Sequence, residues 1–160
     1  QTKSDGVILK KGDVFYVRVK RKGIVKAEVF ANLTYGRVKI AEQEFTVREL
    51  QPPIPFINGY FNGNDIKTTD LKELKKLSLK TDEYLVNEEV YIAEFDFMKI
   101  FNNETSVTKP VKNIGSSFNS LVAKLISGAK PGDVFIFSNI KTKSSLGTET
   151  SIAPLTIKIK

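Results

Sequence analysis

Between Asp13 and Lys20 the chain alternates strictly. Phe15, Val17 and Val19 fall on one side and Tyr16, Arg18 and Lys20 on the other, the two-residue period of a half-buried strand. Arg21-Lys22-Gly23 then turns the chain. Ile24 to Leu33 predicts a second strand, with Ile24, Lys26, Glu28 and Phe30 opposite Val25, Ala27, Val29 and Ala31. Tyr35-Gly36 marks the next turn, and Phe45 and Val47 alternate with Glu44, Thr46 and Arg48 in a strand over Glu44 to Glu49. Prolines at 52, 53 and 55 remove backbone donors and stiffen the chain, so residues 1–51 read as an all-β unit and 52–160 as a second domain. Three or four strands cannot readily close a two-layer sandwich, so the first unit needs a cover from elsewhere.

Beyond the prolines the pattern is mixed. Thr69 and Asp70 carry cap chemistry, Glu73 follows Asp70 by three, and Leu71, Leu74 and Leu77 recur at helical spacing, which predicts a short helix over 70–79. Asp82 to Phe101 reads as strand, in two pieces. Phe118, Leu121, Val122, Leu125 and Ile126 form the stripe of a second helix, capped by Ser116 or Ser117 and ended by Gly128. Pro131-Gly132 turns into a strand over Asp133 to Ile140, a polar loop covers 141–150, and Leu155 to Lys160 is a closing strand. The fold class is therefore mainly β, with an α+β second domain carrying two short helices.

Composition narrows the chemistry. With 160 residues, 41% of them hydrophobic, a packed core is within reach without staples. The chain has no histidine and no cysteine, which removes the usual zinc sites, Ser-His-Asp and Cys-His catalysis, and Fe–S and haem-His ligation. No apolar run is long enough to span a bilayer. The first residue, Gln1, is what a processed protein or a fragment of a longer one would present. The net charge of +7 is uneven: residues 1–51 carry 11 basic and 6 acidic side chains (+5), residues 52–160 carry 14 and 12 (+2).

Several groups invite a sharper reading. Tyr16, Arg18 and Lys20, with Arg21 and Lys22, resemble a phosphate-tracking strip, but one aromatic and a moderate charge fit a solvated strand face better, so nucleic acid is not expected. Phe56, Ile57, Tyr60 and Phe61 sit in a loop broken by glycine and asparagine. They are either a lid over the second core or a contact patch. Glu88-Glu89 and Glu94/Asp96 are weighed as an acid–base pair, Asn62, Asn64 and Asp65 as a partial Ca²⁺ loop, and Ser117, Ser120 and Lys124 as a Ser/Lys nucleophile. None has the accompanying groups its chemistry needs. No catalytic residue, cofactor or metal is assigned. Gly-Asp-Val-Phe occurs at 12–15 and again at 132–135, a turn feeding a β run and not a repeat.

The order of short strings is more telling. Glu44-Phe45-Thr46-Val47-Arg48, then Pro52-Pro53-Ile54-Pro55, then Gly59 and Gly63, resembles the junction between the last two periplasmic domains of the GldM/PorM family of Bacteroidota. The likeness continues through Phe95-Asp96-Phe97, Phe118, Gly132-Asp133-Val134-Phe135 and Leu155-x-Ile157-Lys158-Ile159. Ser144-Ser145-Leu146-Gly147 departs from it, where the family carries Pro-Asp-Gly. The resemblance implies a partial immunoglobulin-like β unit followed by a GldM-type C-terminal domain. It further implies a periplasmic, dimeric, non-enzymatic rod that couples an inner-membrane motor to the outer-membrane ring of the type IX secretion and gliding machinery. On that view the partners are a second copy and ring components; the candidate protein-contact residues, read from the strand face and the loop, are Tyr16, Arg18, Lys20, Phe56, Ile57, Tyr60 and Phe61. The alternative is a secreted cell-envelope domain that binds glycan or peptide through the 56–61 loop.

Overall fold

Charged and apolar side chains alternating over residues 23–47 build one long hairpin in the computed structural model, which describes residues 7–12, 14–19, 22–48, 51–81, 89–102, 106–145 and 147–160. The hairpin belongs to the first of two compact units, Gln1–Glu49 and Leu50–Lys160, both mainly β. In the first unit β1 (Val7–Lys11) pairs antiparallel with β2 (Val14–Arg18), and β3 (Gly23–Leu33) with β4 (Gly36–Val47). The sequence placed the last of these strands only over 44–49. It starts at Gly36, and Ile40 is the reason the alternation was hidden. Val29 faces Ala41 and Phe30 faces Lys39, so Ile40 is a bulge residue that shifts the phase of everything before it.

The second unit holds β5 (Ile54–Phe56), β6 (Asp65–Ile66), a 3-10 turn (Thr68–Glu73), β7 (Ser78–Lys80), β8 (Val90–Ile100), β9 (Val111–Ile114), α1 (Ser120–Ser127), β10 (Val134–Ser144), β11 (Glu149–Ser151) and β12 (Leu155–Ile159). Its main sheet runs β6-β12-β10-β8-β9, with β11 also on β10 and β5 paired separately with β7. The β8–β10 pair is the spine, from Ile100 opposite Val134 to Val90 opposite Ser144. One face of that pair carries Phe95, Phe97, Phe135 and Phe137, all 0–1% exposed. Phe97 and Phe137 lie 5.1 Å apart centroid to centroid, and Phe118 stacks on Phe137 at 5.9 Å. Each such ring contributes roughly 1.5–3 kcal/mol by leaving water. Val122 and Ile126 of α1, Leu71, Leu74 and Leu77, and Leu155, Ile157 and Ile159 complete the core.

Three elements differ from expectation. The predicted helix over 70–79 is a 3-10 turn ending at Glu73, after which the chain extends. Its leucines repeat every three residues without the occasional four that an α-helix needs, and the backbone beyond finds partners elsewhere. Leu77 N donates to Ser116 O, Phe118 N donates to Lys75 O, and Ser78–Lys80 pairs with β5. That use of Ser116 and Ser117 also moves the cap of α1 to Asn119, whose Oδ1 accepts from Val122 N at 2.9 Å. Phe118 therefore precedes the helix. The predicted polar loop over 141–150 is partly strand. A bulge between Ser138 and Lys141, with Asn139 at φ 49°, turns Ile140, Thr142 and Ser144 inward. Thr142 Oγ1 donates to Thr150 O at 3.1 Å, which satisfies a buried hydroxyl that the sequence reads as loop chemistry. Of the predicted strand over Asp82 to Phe101, residues 82–88 lie outside those described, and Val90–Ile100 forms β8.

Candidate interaction surfaces

The register of β3 and β4 sorts their side chains into two unlike faces. Lys26, Glu28, Lys39, Glu42 and Glu44 share one, where Lys26 pairs with Glu44 at 2.8 Å and with Glu42 at 3.1 Å, and Lys39 reaches Glu28 at 3.2 Å and also Glu42. Glu28 and Glu42 stand directly opposite, a repulsive placement that the two lysines offset. Hydrogen bonds from Lys39 and then Lys26 pull the Glu42 carboxyl down to about 2. The other face gathers Val25, Ala27, Val29, Ala31 and Leu33 against Phe45, Ala41 and Val38. It is not covered: Val29 is 51% and Phe45 54% exposed, and no described side chain of this unit is buried.

The loop after the prolines is better ordered than its sequence suggested. Ile57 and Tyr60 exchange backbone hydrogen bonds around Asn58 and Gly59, both at positive φ, the geometry that an Asn-Gly pair favours. That dipeptide was the available signal for a hairpin here. Ile57 is fully buried and belongs to the core, and Tyr60 packs against it. Hydrogen bonds from the Thr69 hydroxyl and then from the Tyr60 hydroxyl, at 2.8 Å, keep the Asp70 carboxyl below its usual range, and the bond to Asp70 pushes the Tyr60 phenol up. Phe56 and Phe61 are half-buried, their rings 5.3 Å apart. Three aromatics thus roof this part of the unit, leaving partial surface for contact. Tyr16 and Arg18 fall in β2, whose pairing is known but whose side chains at these positions are not described, and Lys20 lies outside the described residues. These three belong to the first unit and the 56–61 residues to the second.

The weighed acids and polar groups have structural partners. Glu94 lies between Lys112 at 2.8 Å and Lys141 at 2.7 Å, and their hydrogen bonds pull its carboxyl down to about 2, too acidic for a base near neutral pH. Asp96 accepts from Asn139 Nδ2 at 2.8 Å. Asn62 Oδ1 accepts from Thr156 N, Asn64 Oδ1 from Phe61 N, and Asp65 pairs with Lys160, so each of the three ties its loop to a neighbour. Glu88 lies outside the described residues. No helix among the described residues is long and apolar enough to cross a membrane.

The family model of the GldM C-terminal domain matches residues 51–160, more than half of the chain. The chain belongs to the GldM/PorM family. No curated protein matches it. Membership makes it a relative of components of the type IX secretion and gliding machinery, a cell-envelope family of structural parts and not a known enzyme family.

Within the GldM-type unit the strings that carried the resemblance are mostly packing chemistry. Phe95 and Phe97 supply two rings of the core and Leu155, Ile157 and Ile159 its closing strand. Asp133 does more. It is 3% exposed and pairs with Lys99, also 3% exposed, at 2.8 Å. Its carboxylate also accepts from Lys130 N and Asn102 N, while Lys99 Nζ donates to Gly128 O at the end of α1. Gly132 beside it sits at φ 93°, a conformation that L side chains rarely adopt, and a Cβ there would also displace the side chain of Asn102. Sequence reasoning missed this pair because a lone lysine in an apolar strand carries no mark of its partner, here 34 residues away. It also missed Asn113, fully buried, which donates to Gly115 O and Ser117 O and accepts from Asn119 N, fixing the entry to α1.

Proposed function

We propose that the chain is a non-enzymatic protein-contact module of the type IX secretion and gliding machinery. It forms the end of a periplasmic rod, with residues 52–160 as the GldM-type terminal domain and residues 1–51 as a partial immunoglobulin-like unit whose missing layer is a second copy of the chain. The observation that carries this reading is the uncovered apolar face of β3 and β4. A strand face with Val29, Leu33, Val38 and Phe45 each at least 39% exposed is unfavourable in water and gains by pairing with its own twin about a two-fold axis. A specific interface of this kind buries roughly 800 Å² per partner. The family match supports the machinery role, and the ring-facing contacts are expected on the half-exposed Phe56, Tyr60 and Phe61 as well as on Tyr16, Arg18 and Lys20.

Two measurements test this. Light scattering of the full chain gives a dimer, and Phe45→Lys shifts it to monomer while leaving the amide spectrum of residues 51–160 in place. In a cell that carries the chain, deleting residues 51–160 abolishes export by the type IX route. A strict monomer that binds a glycan or peptide at the 56–61 loop, with export intact, would replace this reading with the ligand-binding one.

A further inference from the structure

We propose that the groove between the 3-10 turn and α1 receives an acidic segment of a partner protein, one apolar side chain entering the groove while carboxylates meet Lys72, Lys75 and Lys124. The groove measures about 500 Å³. Its base is apolar: Leu71 and Leu74 are 5% exposed, Ile126 is 1%, and the half-buried Phe118 ring closes one side. The three lysines that line it are exposed, and no carboxylate lines it. Of the other described lysines in the same unit, five are paired with carboxylates, while Lys67, Lys76, Lys80, Lys109, Lys130 and Lys158 make no ion pair among the described residues but do not line the groove. Lys99 pairs with Asp133, Lys112 and Lys141 with Glu94, Lys143 with Glu149 and Lys160 with Asp65. Among the described residues Lys72, Lys75 and Lys124 make no such pair. What sets this site apart is that three unpaired lysines rim an apolar groove with no carboxylate in its lining, the arrangement that steers and orients an acidic chain.

The alternatives fit less well. A single-stranded nucleic acid would want an exposed aromatic platform, and the ring here is engaged with Phe137. An anionic lipid headgroup would use the lysines but not the apolar base, whereas a peptide uses both. The inference rests on reading the unit as a protein-contact module, and it names the chemistry of one contact.

The test uses the full chain labelled with ¹⁵N and titrated with a synthetic peptide of aspartate and glutamate around a single leucine. Beside it run the same peptide with asparagine and glutamine for the acids, and vesicles of anionic phospholipid. Saturable shifts confined to residues 71–75 and 118–127 are expected with the acidic peptide alone. They weaken as ionic strength rises, and affinity falls roughly tenfold or more in K72E/K75E/K124E. All three positions are exposed, so the variant's spectrum elsewhere stays that of the parent. Shifts that are absent, scattered over the surface, or equal for the amide peptide overturn the proposal, and shifts produced only by vesicles overturn it in favour of a lipid. If the peptide fails while deletion of residues 51–160 still stops export, the groove assignment is wrong and the module reading stands. If the deletion leaves export intact, the module reading fails whatever the peptide does.

Discussion

A lysine and an aspartate taken out of water together, as Lys99 and Asp133 are, cost several kcal/mol each before their attraction is counted. The arrangement is tolerable because both ends have further partners: two backbone amides on the carboxylate, and the carbonyl of Gly128 and the face of the Phe101 ring on the ammonium. Breaking one side only is therefore expensive. Lys99→Met should lower the unfolding free energy of the second unit by about 3–5 kcal/mol, read from urea denaturation, and Asp133→Asn should do likewise. Replacing both at once with apolar residues should cost much less than the sum of the two. Burial alone would push the Asp133 carboxyl up, yet the hydrogen bond from Lys99 and the amides of Lys130 and Asn102 bring it below its usual range. A depressed folded value means the contribution is complete above the unfolded value of about 3.9 and is lost as pH falls through the folded one. Stability measured from about pH 6 to about pH 2 should thus decline less in Asp133→Asn than in the parent.

At the scale of elements the charged face of the β3–β4 hairpin makes a separate prediction. The Glu42 carboxyl should titrate at about 2 by carbon-detected NMR, and Lys39→Met should return it toward the ordinary value near 4.3, since Lys39 is its strongest partner. The contribution of that cluster is present above the ordinary value and fades as pH drops toward about 2, so it is intact at neutral pH. What the sequence disclosed at this scale follows a simple division. Elements whose partners lie on one water-facing, apolar-backed surface were readable: the alternation of β3, the Phe95 to Phe97 core of β8, and the Val122/Ile126 stripe of α1. Elements decided by distant backbone were not. Residues 74–80 are extended because 54–56 and 116–118 pair with them, and Thr142 and Ser144 are inside because a bulge and the 148–150 backbone satisfy them. Of the candidate contacts, the partial exposure of Phe56, Tyr60 and Phe61 fits a loop read as lid or patch. Ile57 could not be singled out from its neighbours, because periodicity says nothing inside a four-residue turn.

Taken whole, the molecule concentrates its buried hydrophobics in one part. All sixteen buried apolar residues lie between Ile57 and Ile159, among the described residues. A fragment of residues 50–160 should accordingly melt in a single cooperative transition by calorimetry, whereas residues 1–49 alone should show none at low concentration. The sheet of the larger part is also assembled out of chain order. Its second member is β12, seated between β6 and β10, with Lys160 N donating to Ile66 O and Lys160 O accepting from Thr68 N. A ribosome or a translocation channel delivers these residues after every other strand, so until then β10 offers a bare edge and β6 has nothing to join. A nascent or clipped chain that stops before residue 155 is left as an adhesive half-sheet, and the interval between emergence of β10 and of β12 is when an escort for this protein has its work to do.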